Sequence, residues 1–305
     1  MITAARQAIL RFAFTPARPA PLAVLRIGIA LLLLAQAASI APVFFELHGS
    51  SGVIQGPLRE AFAAPGLPGV GWLVTVLSHH RAAETPILLS VAALYLISLL
   101  ALALGLFTRV AAVSAWLLHL SLGVTAGATT YGADQFAQIA LFYLAVVPCG
   151  DVLSLDHRRG RAKGLPSWGA RLGLRLLQVH LAVTYLAAGL AKAAGPQWWN
   201  GEAIWRSAML PEYGQLDFSW LAAVPLLPAA LGWSVLLVEI GYPVFVWPRL
   251  TRRLWVILVI GMHAAIGAFL GLHIFGAMMA LLTFTAFGMS AEPLDSAGPR
   301  GPVSP

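Results

Sequence analysis

Only one cysteine, Cys149, occurs in the chain, so no disulfide can close within it and no cysteine-based metal cluster can form. A lone cysteine in apolar company reads as a small buried hydrophobe. Charge is nearly as scarce: Asp and Glu number 12, Lys and Arg 19, together 10% of 305 residues, against roughly 25% in soluble domains. The shortage of acids leaves a net charge of +7. Such a balance could suit a nucleic acid, but the basic residues flank apolar segments and form no amphipathic or aromatic-interleaved patch, so no nucleic-acid partner is expected. What fills the chain is apolar, at 59%. A chain this long could hold two soluble domains, yet runs of about 20 residues with short connections use it up. The pattern predicts an all-α polytopic bundle in a lipid bilayer, one membrane domain over 20–289, and a tail over 290–305 of disordered composition.

Eight apolar segments are expected to cross: about 22–45, 86–106, 110–128, 136–148, 172–194, 229–247, 254–270 and 274–288. Arg6, Arg11 and Arg18 before the first run, with AQA at 35–37, resemble a secretory leader, but the run continues through Phe45 and is read as an uncleaved span. The piece Val70 to Leu77 is too short to cross. With the N-terminus cytoplasmic, the inside segments and helix ends hold most Arg and Lys, including Arg109, Arg158, Arg159, Arg161, Arg171, Arg175, Arg249, Arg252, Arg253 and Arg300. Outside remain Arg59, Arg81, Arg206 and Lys192. This bias places both termini in the cytoplasm, in a plasma (inner) membrane. Arg26, near the cytoplasmic end of the first run, is expected to snorkel. Two stretches resemble each other, FTRVAAVSAWLLHL at 107–120 and LTRRLWVILVIGMH at 250–263. Duplication of a hairpin and chance in an apolar alphabet explain this equally.

Ionisable residues recur at one depth. His119 stands ten residues past Arg109, His180 nine past Arg171, His263 ten past Arg253 and Glu239 ten before Arg249. At 1.5 Å per residue all four lie roughly 15 Å from the inner surface, near the middle of the hydrocarbon. Glu239 at that depth should face the bundle interior and be paired or protonated, with a histidine the natural partner. A polar cavity for a small molecule, a proton relay or a His-rich metal site would use such a layer. Helix packing, with Ser114, Thr184 and Ser234 as hydrogen-bond partners, would equally occupy the histidines. No pair of candidate ligands has the helical spacing of a metal motif.

The stretch YLAAGLAKAAGPQWWNG at 185–201 carries Lys192, the lysine set in an apolar run. Its place puts it about 30 Å from the inner surface, where snorkelling would explain it. Gly195, Pro196 and Trp198 cap the helix and should fold the next loop over the lysine, which, partly desolvated, could act as a base. Asp134, Glu202, Glu212 and Asp217 are candidate partners on outer loops.

Four segments in order, LALGLFTRVAAV at 102–113, YGADQFAQIALFYLAVVP at 131–148 followed by SLD at 154–156, YLAAGLAKAAGPQWWNGEA at 185–203, and MHAAIGAFLGLHIFGAMMALLTF at 262–284, resemble the HTTM family. That family is the membrane domain shared by vitamin K-dependent gamma-carboxylase and by bacterial proteins similar to the sporulation-delaying toxin maturation factor. The resemblance covers about 20–289. It implies that Lys192 matches the base that deprotonates reduced vitamin K, whose reaction with oxygen yields the strong base for glutamate carboxylation. On this reading a reduced quinone such as vitamin K hydroquinone is the implied cofactor, Lys192, Glu239 and His263 are the catalytic candidates, and His119, His180 and Trp199 are the binding candidates. The sequence departs from the carboxylase in having Ala191 before Lys192 where the carboxylase has two lysines, in lacking cysteines for its disulfide, and in ending at Pro305, soon after the eighth run. The expected activity is lysine-initiated, quinol-linked chemistry on a lipophilic molecule. The alternative is a non-enzymatic membrane partner in maturation or export of a secreted peptide.

Overall fold

The computed structural model describes residues 2–53, 67, 69–77, 84–213 and 216–289. Arg59, Arg81 and the 290–305 tail with Arg300 lie outside the described residues. Among the described residues every regular element is helical: α1 (Ile2–Phe14), α2 (Ala20–Ile40), α3 (Phe44–His48), α4 (Val70–Leu77), α5 (Glu84–Leu104), α6 (Thr108–Thr125), α7 (Gly132–Val146), α8 (Leu155–Arg158), α9 (Trp168–Ala193), α10 (Pro196–Trp199), α11 (Glu202–Met209), α12 (Leu226–Phe245), α13 (Arg249–Leu270) and α14 (His273–Thr283). Helices follow the apolar runs because such a run satisfies its backbone internally where water cannot.

Among the described residues five helices are long and apolar enough to cross a membrane: Ala20–His48, in which a 3₁₀ turn joins α2 to α3, then α5, α9, α12 and α13. The other three expected segments are helical but shorter. The 18 residues of α6 and the 15 of α7 span about 27 and 22 Å against a hydrocarbon core of about 30 Å. Past α7 the chain meets Pro148, and Val147 is extended, as a residue before proline tends to be. The helix α14 gives way to a π turn, Phe284–Gly288.

The chain forms two compact units, Leu22–Gly164 and Met1–Pro21 with Leu165–Pro305. In the first, a short connection ties α5 to α6. Arg26 does not snorkel: it is fully buried, and its guanidinium donates to the carbonyls of Leu102 (2.5 Å), Ala103 (3.1 Å), Cys149 (3.1 Å) and Leu153 (2.5 Å). The carbonyls at the end of a helix have no partner within it, and here a cation closes them. Gly105, at φ +67°, makes room: an added Cβ would lie 2.5 Å from Arg26 Nη1. Asp156 answers at the start of α6, accepting from the Phe107 amide (3.1 Å), the Thr108 amide (2.8 Å) and the Thr108 hydroxyl (2.8 Å). Burial pushes its carboxyl up, but these donors and Arg161 outweigh that and hold it below the usual carboxylate range. Toward the other end of the unit, the Tyr95 hydroxyl and His119 Nδ1 share a hydrogen bond of 2.9 Å, and His119 Nε2 lies 3.2 Å from the Asp134 carbonyl. The Asp134 carboxylate accepts from Gln36 (2.6 Å) and from the Tyr131 amide (3.0 Å). His119 is therefore satisfied by a tyrosine and a backbone carbonyl, not by Ser114.

In the second unit α1 is tied to α9. Ala17 and Ser167 exchange backbone bonds of 3.1 and 3.0 Å, and Arg171 donates to the Thr15 carbonyl at 2.7 Å. Arg252 caps α12 by donating to the carbonyls of Val246 and Trp247. At the contact of α13 with α14, a Cβ on Gly276 would crowd the His263 carbonyl, so only a glycine permits that approach.

Candidate functional site around Lys192

The helices α9 and α12 run antiparallel, and their contacts fall in reverse register. Tyr185 stacks against Tyr242 at 4.3 Å between centroids, Gly189 meets Glu239 and Ile240, and Lys192 meets Glu239. Gly189 sets the spacing: a Cβ there would come 2.8 Å from Ile240 Cγ1 and 3.0 Å from both Glu239 Cβ and the Ile240 nitrogen. Residues 185, 189 and 192 share one face of α9, as four- and three-residue steps on a helix require.

Lys192 Nζ donates to both carboxylate oxygens of Glu239, at 2.8 Å to Oε1 and 2.7 Å to Oε2. The expectation that a histidine or an outer-loop acid would supply the partner is thus corrected. Counting residues from the arginines put the two groups about 15 Å apart in depth. They meet because the arginines do not mark one common level: Gly189 packs directly on Glu239 and Ile240, so Lys192 stands only about 4.5 Å beyond the level of Glu239, and side chains that lean toward the N-terminus of their own helix close that gap between antiparallel helices. The chain beyond Lys192 also folds back, as expected from Gly195 and Pro196. The Trp198 ring stands 5.4 Å from Nζ, and the Trp198 carbonyl packs on α12 at Gly232. Glu239 is 6% exposed. Pro243 has no N–H to offer the Glu239 carbonyl four residues earlier, which interrupts the helix ladder at the ion pair.

A second polar group adjoins the stacked tyrosines. The Tyr185 hydroxyl bonds His263 Nε2 of α13 at 2.9 Å, both being buried. Tyr242 Oη, Thr283 Oγ1 and His263 Nδ1 are buried and make no hydrogen bond of standard geometry among the described residues, although the Thr283 hydroxyl lies close enough to those of Tyr185 and Tyr242 to interact with both. Such groups are rare in folded proteins and mark places where water or a ligand completes the bonding. Thr283 ends α14 just before the π turn, an irregularity frequent at functional sites.

The remaining candidates stand apart from this cluster. His180 is half-buried on α9, nine residues from Gly189 and so on the opposite side of the helix. Trp199 is exposed and structural: its indole donates to the Ala193 carbonyl at 2.8 Å, and its own carbonyl accepts from Trp233 at 2.8 Å. Its neighbour Trp198 is the tryptophan at the lysine. His119 belongs to the other unit and its own network. Glu202 pairs with Arg206 at 2.6 Å, Asp217 caps the Ser219 amide at 2.8 Å, and Glu212 is exposed. Tyr185, Tyr242 and Thr283 escaped attention because none is ionised near neutrality. Their signal was positional, since Tyr185 lies seven residues before Lys192 and Tyr242 three after Glu239.

No group of three or more His, Cys, Asp or Glu among the described residues is placed to hold a metal ion. No protein-family model, curated protein or solved structure matches the chain. The site's chemistry is therefore read from its own residues. An ammonium and a carboxylate in apolar surroundings share a proton whose move to oxygen leaves two neutral groups, and the free amine is then a base.

Proposed function

We propose that this chain is a multi-pass inner-membrane protein of the HTTM type, with eight helical segments across the bilayer and both termini cytoplasmic, and that Lys192 serves as the base toward a lipophilic hydroquinone. The arginine and lysine bias supports the orientation. One observation carries the chemistry: an amine–carboxylate pair with Nζ 2.8 and 2.7 Å from the Glu239 oxygens, on the same helix pair as Tyr242 with its buried hydroxyl. The chemical groups at this cluster are those a hydroquinone would use. Tyr242 Oη, Thr283 Oγ1 and His263 Nδ1 offer partners for ring oxygens, while Trp198, Tyr185 and Tyr242 offer flat apolar faces.

A bound hydroquinone supplies a weakly acidic hydroxyl and a ring that oxygen can oxidise. Glu239 holds the shared proton and so frees the Lys192 amine, which accepts the hydroxyl proton. The Tyr185–His263 bond fixes the imidazole ring so that Nδ1 keeps one direction. Trp198 stands over one side of the amine, which keeps about a quarter of its side chain accessible, 27%. The test is oxidation of reduced vitamin K by the purified protein in air-saturated detergent. Wild type should accelerate it, and Lys192→Ala should lose on the order of 10²-fold or more, the usual contribution of a positioned base. Equal rates for the two proteins, or no acceleration by wild type, would replace this reading with the non-enzymatic membrane partner.

A further inference from the structure

A cavity of about 330 Å³ lies within the Leu22–Gly164 unit, at the start of α6, and shares no residue with the Lys192 cluster. Its walls include Phe107, Arg109, Val110, Asp151, Asp156 and Arg161. We propose that this cavity binds the headgroup of an anionic phospholipid, its phosphate between Arg109 and Arg161 and its acyl chains along Phe107 and Val110. The inference rests on the membrane placement proposed above and is independent of the quinol chemistry.

Three observations support it. The first is charge: the adjoining loop, 155–164, also carries Arg158, Arg159 and Lys163. Of the two acids in the wall, Asp156 is already spent on the Phe107 and Thr108 donors and on Arg161 at 3.7 Å. Asp151 is half-buried, and burial raises its carboxyl above the usual range while His157 and Arg109 oppose that rise.

The second is the exposed apolar rim. Phe107 and Val110 are 57% and 66% exposed, beside the guanidinium groups, so a single ligand with a charged head and oily tails meets both. The Arg161 guanidinium already lies over the Phe107 ring at 4.6 Å.

The third is backbone strain. Among the described residues Phe107 (φ 45°) and Leu153 (φ 51°) are the non-glycine residues in the left-handed region. That conformation is costly for a large side chain and persists only where neighbours enforce it, often at ligand sites. Asp156 holds the Phe107 amide and Arg26 holds the Leu153 carbonyl, and both side chains are thereby presented outward, Leu153 at 60% exposure. Basic pockets between membrane helices on the cytoplasmic side characteristically take anionic headgroups.

The experiment is a thermal-stability titration of the full chain in neutral detergent with phosphatidylglycerol, phosphatidylcholine or glycerol 1-phosphate. Phosphatidylglycerol should give a saturable rise in melting temperature and the other two should not. Arg109→Gln with Arg161→Gln should raise the phosphatidylglycerol concentration that gives half the shift about thirtyfold, at the usual contribution of each arginine near anionic lipid, whereas Arg158→Gln with Arg159→Gln, outside the cavity wall, should leave at least half of the shift. If the arginine variant does not fold, Phe107→Gly decides: it relieves the backbone, so the protein should fold while losing the lipid response. Equal shifts with phosphatidylcholine, a full shift with glycerol 1-phosphate, or an unchanged response in the variants would overturn the proposal. Recovery of the chain in the soluble fraction without detergent would instead overturn the membrane placement.

Discussion

Arg26 and Lys192 show how far a single residue can be read from its place in a sequence. Both sit near the end of an apolar run, where a long basic side chain ordinarily reaches the headgroups. Both instead turn inward, because partners on distant segments wait for them: four carbonyls for Arg26 and the Glu239 carboxylate for Lys192. Nothing local to either residue announces those partners. For Arg26 the planar, five-donor guanidinium is essential, since a lysine ammonium cannot spread over carbonyls from three chain segments. Arg26→Lys should therefore lower stability by about 3 kcal/mol, the loss of one or two charged hydrogen bonds in a buried setting. Thermal unfolding in detergent measures this, and an unchanged midpoint would mean that the four bonds contribute nothing to the fold.

At the scale of elements, the decisive feature is the crossing of α9 and α12 at Gly189. A Gly→Ala change in the middle of a helix ordinarily stabilises by roughly 0.5–1 kcal/mol. Here the added Cβ meets the Ile240 backbone nitrogen at 3.0 Å, and backbone cannot swing aside as a side-chain tip can. Gly189→Ala should thus destabilise, by about 1–3 kcal/mol as overpacking does, and should loosen the ion pair. Faster labelling of Lys192 by an amine-directed reagent would report the loosening. A stabilised variant with unchanged labelling would show that the crossing is not tight. The long apolar helices and their order were legible from the apolar runs, because hydropathy and self-satisfied backbones act locally, whereas α1, which precedes the first run, was not. Helix pairing was not. Which face of α9 meets which face of α12 depends on small residues and on Tyr185 and Tyr242, whose pattern is lost in a run that is apolar all round. The depth count failed because it took Arg171 and Arg249 as level, whereas the packing of Gly189 on Glu239 sets α9 and α12 in a different register.

For the whole molecule, each of the two units contains a helix with Thr-Arg in its first turn and a buried histidine bonded to a tyrosine from another helix: His119 through Nδ1 with Tyr95, and His263 through Nε2 with Tyr185, each at 2.9 Å. The similarity of 107–120 to 250–263 thus extends from sequence to hydrogen bonding. The outcomes diverge. His119 also meets the Asp134 carbonyl, whereas His263 keeps an unpartnered Nδ1. A satisfied histidine holds helices together, and an unsatisfied one leaves a bond for something else to make. The account's central claim is that the interior beside Lys192 and Glu239 receives a lipophilic quinone-like molecule. Its most direct test is mass spectrometry of the lipids and quinones that co-purify in detergent with wild type and with Tyr242→Phe/Thr283→Val, which removes two of the buried hydroxyls. The account predicts an isoprenoid quinone, near one per chain, with wild type and its loss from the variant. Bulk phospholipid alone in both preparations would contradict it.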